Sequence, residues 1–573
     1  MGAGATEWKR VPVGIESVRW STRGRSRKVL LVVHNVTSAT RLLDVLPLFR
    51  DDLRVQLLST WTGSSPFDDG VAELLTRIGL PVLPWEQALQ TPVDLALSAS
   101  FGGQLQLISG KLAILSHGVG YNKKLAAGRR TPVFGLSPEW LLADDAPVAD
   151  ALVLSHPEQF ERLEAACPQA APTAVLGGDP CFDRMLAALP LRDRFRRALG
   201  VSAGQRLVVL NSTWNPQSLF GDGGEHDVLP WLLERLASEL PADEYRVAAV
   251  LHPNVWHGHG VGQIRSWLDR ACRSGLTLID PLDDWRQALI AADAVIGDFG
   301  SVSYYAAALG LPVLLGAASG EVLDPASPVG VFTGLAPRLD PGTALRPQLE
   351  RLLSEHVPLT GPAELTTSVP GQAGTLLRRV FYELIAIPEP ARTALLDRLP
   401  LPAYRTAVHT SPLRVLTRVL DPAQVAVTRY NDPPHEPAGA GGIHTAVHED
   451  TLDPGLLDLA DVVFRQGPAA DHRLGPPPQW TAEILARHPQ CSLAAYVTGP
   501  GSCTVRTRAG RLLLLDADPC TSADPSAYAS ALLALLSEGG TGREPDLLDA
   551  VAAKGLTVRL GGHAHTVSLT LIP

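Results

Sequence analysis

The chain has few of the features that staple, export or anchor a protein. Its six cysteines, Cys167, Cys181, Cys272, Cys491, Cys503 and Cys520, are widely spread with no C-x-x-C pair. That fits neither a disulfide scaffold nor a zinc module and suits a reducing compartment. The start, MGAGATEWKRVPVG, lacks the apolar segment of a secretion signal, and a lone Met-Gly is too little to read as a myristoylation signal. Apolar runs stop short of membrane-spanning length. The expectation is a cytoplasmic protein, with peripheral contact at the inner face of the plasma membrane left open. Positive charge is in deficit: 49 Lys and Arg face 59 Asp and Glu, a net charge of -10, so no nucleic-acid partner is expected. Two basic clusters, Arg23, Arg25, Arg27 and Lys28 and then Lys123, Lys124, Arg129 and Arg130, read as solvated surface or as contacts to a phosphate-rich partner or an anionic membrane. Also missing are a G-x-x-x-x-G-K-[ST] loop, a G-x-G-x-x-G turn at the first strand and a G-x-S-x-G elbow. These absences argue against ATPase, dehydrogenase and serine-hydrolase chemistry.

What is present is length and alternation. At 573 residues the chain exceeds a single core, and about 150 residues per domain predicts three or four domains. Short apolar runs alternate with helical stretches from Lys28 to Pro190, among them Val29–Val33, Arg54–Ser59, Val93–Leu97, Leu112–Leu115 and Ala151–Leu154. After a hinge-like helix, Leu191–Leu199, the pattern restarts with Arg206–Leu210, Arg246–Leu251, Leu276–Ile279 and Ala294–Ile296. Such alternation implies βαβ units and parallel sheets covered on both faces. The predicted fold class is therefore α/β: two Rossmann-like domains in tandem, residues 28–190 and 191–390, the second ending in a closing helix. Residues 391–573, with Pro-rich stretches at Asn431–Gly442 and Gly475–Pro478, strands from Cys491 to Asp516 and a last hairpin, read as a small accessory α+β domain of no evident role.

The stretch Ala291–Leu315 is the most informative. Ala294–Ile296 is a buried strand, Asp298 stands at its exit, and Phe299-Gly300-Ser301 turns into a helix from Val302 to Leu309. Backbone N–H groups, a hydroxyl and a helix N-terminus converge there, which suits a phosphate or pyrophosphate. The other reading is that Ser301 only caps the helix. Two histidines share this kind of position: His117 after Leu112–Leu115 and His252 after Val250-Leu251. Either could take a proton from a hydroxyl or stabilise phosphate oxygens, or be a loop residue bonded to backbone. Tandem domains would bring both to one cleft, which His34 could also line, and that favours the functional reading. His156 reads as a helix start. His257 with His259, and His563 with His565, lack further ligands at suitable spacing and read as loops, so no metal is expected.

The order of these elements resembles the CDP-glycerol glycerophosphotransferase family of teichoic-acid polymerases and primases, which have a GT-B fold. His117-Gly118, with Lys123 displaced by one residue, is similar to its HG-x-x-x-K element. Gly178-Asp179-Pro180-Cys181-Phe182-Asp183 is similar to G-x-P-R-x-D, Ser212-Thr213-Trp214-Asn215 to P-T-W-R, His252-Pro253 to HP, and Asp298-Phe299-Gly300-Ser301-Val302 to D-Y-S-S-V. The resemblance covers about Lys28 to Leu315. It implies an acceptor domain followed by a nucleotide-donor domain, His117 as general base and His252 as stabiliser of the donor phosphate. Gly300, Ser301, Ser303, Asp298, Ser212 and Thr213 would bind the donor phosphates, and Gly118, Lys123 and Asn215 would contact acceptor or phosphate. The reaction implied is attack of a hydroxyl of a cell-envelope glycopolymer, or of its lipid-linked precursor, on a CDP-linked glycerophosphate. The donor, CDP-glycerol on this resemblance, is a substrate, and no cofactor is implied. Departures stand at Gly300, Cys181, Asn215 and Tyr305, where the family has serine, arginine, arginine and an acidic residue. They keep open a GT-B glycosyltransferase or epimerase using a UDP-sugar, and a catalytically degenerate binding or scaffold protein. Oligomeric state is not legible.

Overall fold

A computed structural model describes residues 8–14, 16–124, 133–224, 227–318, 322–405, 409–431, 441–518, 523–539 and 544–573. The Met-Gly start, Arg129, Arg130, Cys520 and most of the Pro-rich stretch 431–442 lie outside the described residues.

The first domain carries β1 (Arg27–Val33), β2 (Val55–Trp61), β3 (Val82–Leu83), β4 (Leu95–Ser98), β5 (Lys111–Ile114), a small hairpin of β6 (Leu142–Ala143) and β7 (Ala146–Pro147), then β8 (Ala151–Leu154) and β9 (Ala174–Leu176). Seven of these form a parallel sheet in the order β3-β2-β1-β4-β5-β8-β9. Alternate residues of β1 enter two different cores: Val29, Leu31 and Val33 one, Leu30 and Val32 the other. This is why the strand reads as a continuous apolar run. The second domain repeats the plan with β10 (Arg206–Ser212), β11 (Tyr245–Leu251), β12 (Thr277–Leu278), β13 (Ala294–Gly297) and β14 (Val313–Leu315), parallel in the order β12-β11-β10-β13-β14. The helix Ala373–Leu384 crosses back: Leu377, Phe381 and Tyr382 pack into the first domain's core, with Phe381 stacked on Phe49. The two tandem Rossmann-like sheets are those the sequence predicted.

The third domain is not the small α+β unit expected. Nine strands close into a barrel: β15 (Leu413–Asp421), β16 (Gln424–Asn431), β17 (Gly442–His448), β18 (Val462–Gln466), β19 (Leu493–Gly499), β20 (Ser502–Thr507), β21 (Leu512–Ala517), β22 (Leu556–Leu560) and β23 (His563–Ile572). Their order is β15-β16-β22-β23-β21-β20-β19-β18-β17, and β17 returns to β15. Every strand contributes to one apolar cluster, for example Val415, Val427, Ala446, Phe464, Ala495, Val505, Leu515, Val558 and Val567, and that cluster includes Ala527, Ala531, Leu532 and Leu535 of the helix Ser526–Gly539. The helix therefore fills the barrel. Its sequence, apolar on all sides and rich in alanine, suits a rod enclosed all round. His444 of β17 bonds Ser530 of this helix at 2.9 Å inside the barrel. At one end Arg429 is buried among Asp243 of the second domain, Asp524 and Ser526, which ties barrel to sheet.

Candidate active site

Both parallel sheets reverse strand order beside their first strand, between β1 and β4 and between β10 and β13. Open α/β sheets bind ligands outside the carboxyl ends of strands at such points. The residues at those ends here are Ala99, Ser116 and His117 from the first domain, and Thr213, His252 and Asp298-Phe299-Gly300 from the second.

His117 and His252 are held by their Nδ1 atoms in opposite senses. His117 Nδ1 lies 3.1 Å from the carbonyl oxygen of Ala99. A carbonyl only accepts, so Nδ1 carries the proton and Nε2 keeps its lone pair. His252 Nδ1 instead accepts from the backbone N–H of Asn254 at 3.1 Å, capping the helix Pro253–His259. In the neutral ring its proton is therefore on Nε2. Solvent reaches His117, and His252 is half-buried. Enclosure by the crevice walls is the first cause that pushes His117 down to about 4, followed by the charges of Lys123 and Arg41. His252 is pushed down to about 3, again first by enclosure, then by Lys123 and His117. The backbone N–H of His252 donates to the Ser212 carbonyl, the loop after His117 meets Ser301, and Lys123 lies over Trp214, which gathers both imidazoles and Lys123 at one crevice. Burial also lowers Lys123, opposed by Asp298. The Lys123 ammonium sits 5.4 Å over the ring of Trp214, which meets Phe67 edge-on.

Ser301 does not cap its helix. The helix runs Ser301–Ala308 with Gly300 at the cap position and no side-chain cap bond. The Ser301 hydroxyl instead accepts from the backbone N–H of Val119 in the first domain, at 3.3 Å. A Cβ at Gly118 would stand 2.6 Å from that hydroxyl oxygen, so the approach of the two loops depends on glycine. Gly300 is explained by its own surroundings. A Cβ there would lie 3.0 Å from Asp298 Oδ1 and 3.1 Å from the Thr213 Cβ, which leaves a serine little room.

Three predicted phosphate ligands form the frame behind the loops. Asp298 is fully buried and accepts from the N–H groups of Thr213 (2.8 Å), Leu219 (3.0 Å) and Gly300 (2.9 Å) and from the Ser212 hydroxyl (3.3 Å). Burial raises its pKa, and the three backbone donors oppose the rise. Ser212 also accepts from Phe220 N–H at 3.1 Å. Ser303, fully buried, accepts from Asn211 Nδ2 at 2.7 Å. Asn215 is half-buried, and among the described residues its Oδ1 has no hydrogen-bond partner. The residues brought together around the crevice are thus His117, Gly118, Lys123, Thr213, His252, Gly300 and Ser301, with Asn215 close in sequence to Thr213.

Sequence reasoning missed a buried network under the crevice. Arg41 donates to the Tyr305 hydroxyl (2.9 Å), which donates to Asp179 (2.6 Å). Arg286 donates to Asp44 (2.8 Å) and to Cys181 Sγ (3.1 Å), and Arg184 also pairs with Asp44. Two departures from the family pattern, Cys181 and Tyr305, are members of this network. No local signal could have found it beyond Arg41 and Asp44 sharing a helix face three residues apart. Among the remaining histidines, His34 Nε2 donates to Gly102 O (2.7 Å), and His156 caps Pro157–Ala166 as expected. The loop readings of His257, His259, His563 and His565 are corrected: the first two are helical and the last two lie in β23. Among the described residues no three His, Cys, Asp or Glu gather as metal ligands.

No family model matches the sequence, and no curated relative matches it. Among solved structures the chain is similar to the wall teichoic acid polymerase TagF, with 12% identity over 65% of this chain and 94% of that one and a TM-score of 0.40. It is also similar to Anabaena HepE in complex with UDP, at 13% identity over 63% of this chain and 100% of that one, TM-score 0.33. A putative UDP-N-acetylglucosamine 2-epimerase from Listeria monocytogenes matches at 13% identity over 65% of this chain and 100% of that one, TM-score 0.36.

Proposed function

We propose that the chain is a transferase that moves a glycerophosphate-type group from a CDP-linked donor to a hydroxyl of a cell-envelope glycopolymer or its lipid-linked precursor, at the cytoplasmic face of the membrane. One observation carries the reading: a crevice between two Rossmann-like domains holds one imidazole with a bare Nε2 and another with a protonated Nε2, beside a lysine. His117 Nε2 accepts the proton of the acceptor hydroxyl as its oxygen attacks the glycerol-bound phosphorus. The new P–O bond forms as the bond to CMP breaks. His252 Nε2–H, Lys123 and the Ser301 hydroxyl stabilise the negative charge on the phosphates, which is the main demand of phosphoryl transfer.

The test is a donor screen. CDP-glycerol, CDP-ribitol and UDP-glucose are compared for the rise in melting temperature and for nucleotide release, in the protein as it stands and in His117→Ala. A rise with a CDP-alditol, release of CMP, and loss of release but not of binding in His117→Ala support the proposal. Response to UDP-glucose alone would make the chain a sugar-nucleotide enzyme. No response to any nucleotide would make it a binding protein.

A further inference from the structure

A cavity lies at the other end of the second domain's sheet. Strand β11 leads to His252 at its carboxyl end and carries Arg246 near its start, roughly 20 Å away at about 3.3 Å per residue. Arg246 is 3% exposed, and among the described residues its Nε and Nη1 have no hydrogen-bond partner. Its Nη2 reaches only the carbonyl of Arg405, at 3.5 Å. Among the described residues no carboxylate pairs with it, unlike Arg429, which has Asp243 and Asp524, and Arg286, which has Asp44. Burial alone pulls its pKa down to about 10, with Tyr404 opposing. A buried guanidinium left without a counter-charge is unfavourable and calls for an anionic partner.

Arg246 lines a cavity of about 510 Å³, its solvent side included, between the second domain and the approach to the barrel. The same cavity is lined by His409 and Asn431, and each brings an atom without a hydrogen-bond partner among the described residues: His409 Nδ1 and Asn431 Oδ1. Asn431 Nδ2 donates to Ser274 O at 3.1 Å, which fixes the amide and leaves Oδ1 as the acceptor. The His409 ring lies against Gly275, where φ is +97° and a Cβ would fall 2.4 Å from Cε1. Leu236, Leu240 and Val247 are among the apolar residues of the walls. Two donors from a cation, one fixed acceptor and one imidazole nitrogen define the complement: anionic oxygen on one side, an O–H donor on the other.

We propose that this cavity binds a small oxyanion that also carries a hydroxyl, of the hydrogen-phosphate or 2-hydroxycarboxylate type. Its anionic oxygens accept from Arg246 Nε and Nη1, and its O–H donates to Asn431 Oδ1 or His409 Nδ1. The site is separate from the crevice and does not depend on the transferase reading.

The test uses the full chain, with inorganic phosphate and glycolate titrated by calorimetry and by thermal shift in a buffer free of other oxyanions. At least one should bind saturably and raise the melting temperature. Arg246→Met should weaken that binding at least tenfold, and Asn431→Asp, which sets a carboxylate in the cavity facing Arg246, should do the same if Arg246→Met fails to fold. Lys123→Ala should leave it intact. Absence of binding of both anions overturns the proposal, as does equal binding by the Arg246 variant. Loss of binding in Lys123→Ala also overturns it, because the anion would then belong to the crevice. Which of the two anions binds tells phosphate from hydroxy acid.

Discussion

Gly118 and Ser301 touch across the boundary between the two Rossmann-like domains, the second lending its hydroxyl to the loop that carries the first. Gly118→Ala puts a methyl group 2.6 Å from that oxygen, so the loops must part. A misplacement of about 1 Å can cost about 100-fold in rate. The expected outcome is a turnover loss of at least tenfold and a smaller donor-induced thermal shift, with the melting temperature of the free protein little changed. Steady-state kinetics beside scanning fluorimetry check it.

The proposed reaction makes His117 the general base, which works in its deprotonated form, so activity on that proposal depends on His117 remaining neutral. With its pKa near 4 rather than the ordinary 6.5 or so, kcat/KM should stay level down to about pH 5 and fall only as pH drops through about 4. Lys123→Ala removes one of the charges that hold the value down, so the acid limb should move upward in pH while the maximum falls. A limb near 6.5 in the unaltered protein would contradict the placement of His117.

Asp298 organises the second-domain loops that carry Thr213, Leu219 and Gly300. Asp298→Asn replaces one acceptor oxygen by a donor and strands buried N–H groups of Thr213, Leu219 or Gly300. Each unsatisfied group costs about 1–3 kcal/mol, so a loss of about 3 kcal/mol is expected, read from the shift of the urea midpoint. Activity should fall with it even where the variant is fully folded.

Arg429 holds the barrel to the second domain through Asp243 and to its own helix through Asp524 and Ser526. Removing one partner of a buried ion pair costs about 3–5 kcal/mol. Arg429→Met should split a single calorimetric transition into two, as the barrel loses its link to the sheets.

His444 makes the barrel sensitive to acid. Burial pushes it down to about 4, while in the unfolded chain it titrates near 6.5. Between those values the unfolded state holds the extra proton, so stability falls as pH drops through about 6.5 and stops falling near 4. The contribution approaches about 3 kcal/mol at the low end. His444→Asn should flatten this part of the pH dependence of unfolding, measured against the unaltered chain.

The strands most legible in the sequence were those buried on both faces. β1, β10 and β13 are continuous apolar runs, and the polar residues at their exits marked the crevice before any contact was known. The capping reading of Ser301 fails because its hydroxyl meets the backbone of Val119, a residue of the other domain. Asp298 stands at a strand exit and Ser303 in the helix that follows, but sequence does not show the direction of a side chain, and both are turned into the protein. The network of Arg41, Tyr305 and Asp179 joins residues up to 264 positions apart, and nothing local records such a meeting. The barrel was hidden in the same way: β15 to β18 have side chains that suit several structures, and what makes them a ring is the pairing of β16 with β22 and of β21 with β23.

That ring sets an order of events. β15 to β21 and the enclosed helix Ser526–Gly539 precede the two closing strands in the chain, so until β22 and β23 arrive, β16 and β21 are bare edges flanking an exposed apolar rod. Such long-range closure makes folding slow and leaves edges open to other chains. The last strands of the chain act as the clasp, and the period before they engage is when this domain is most exposed to aggregation.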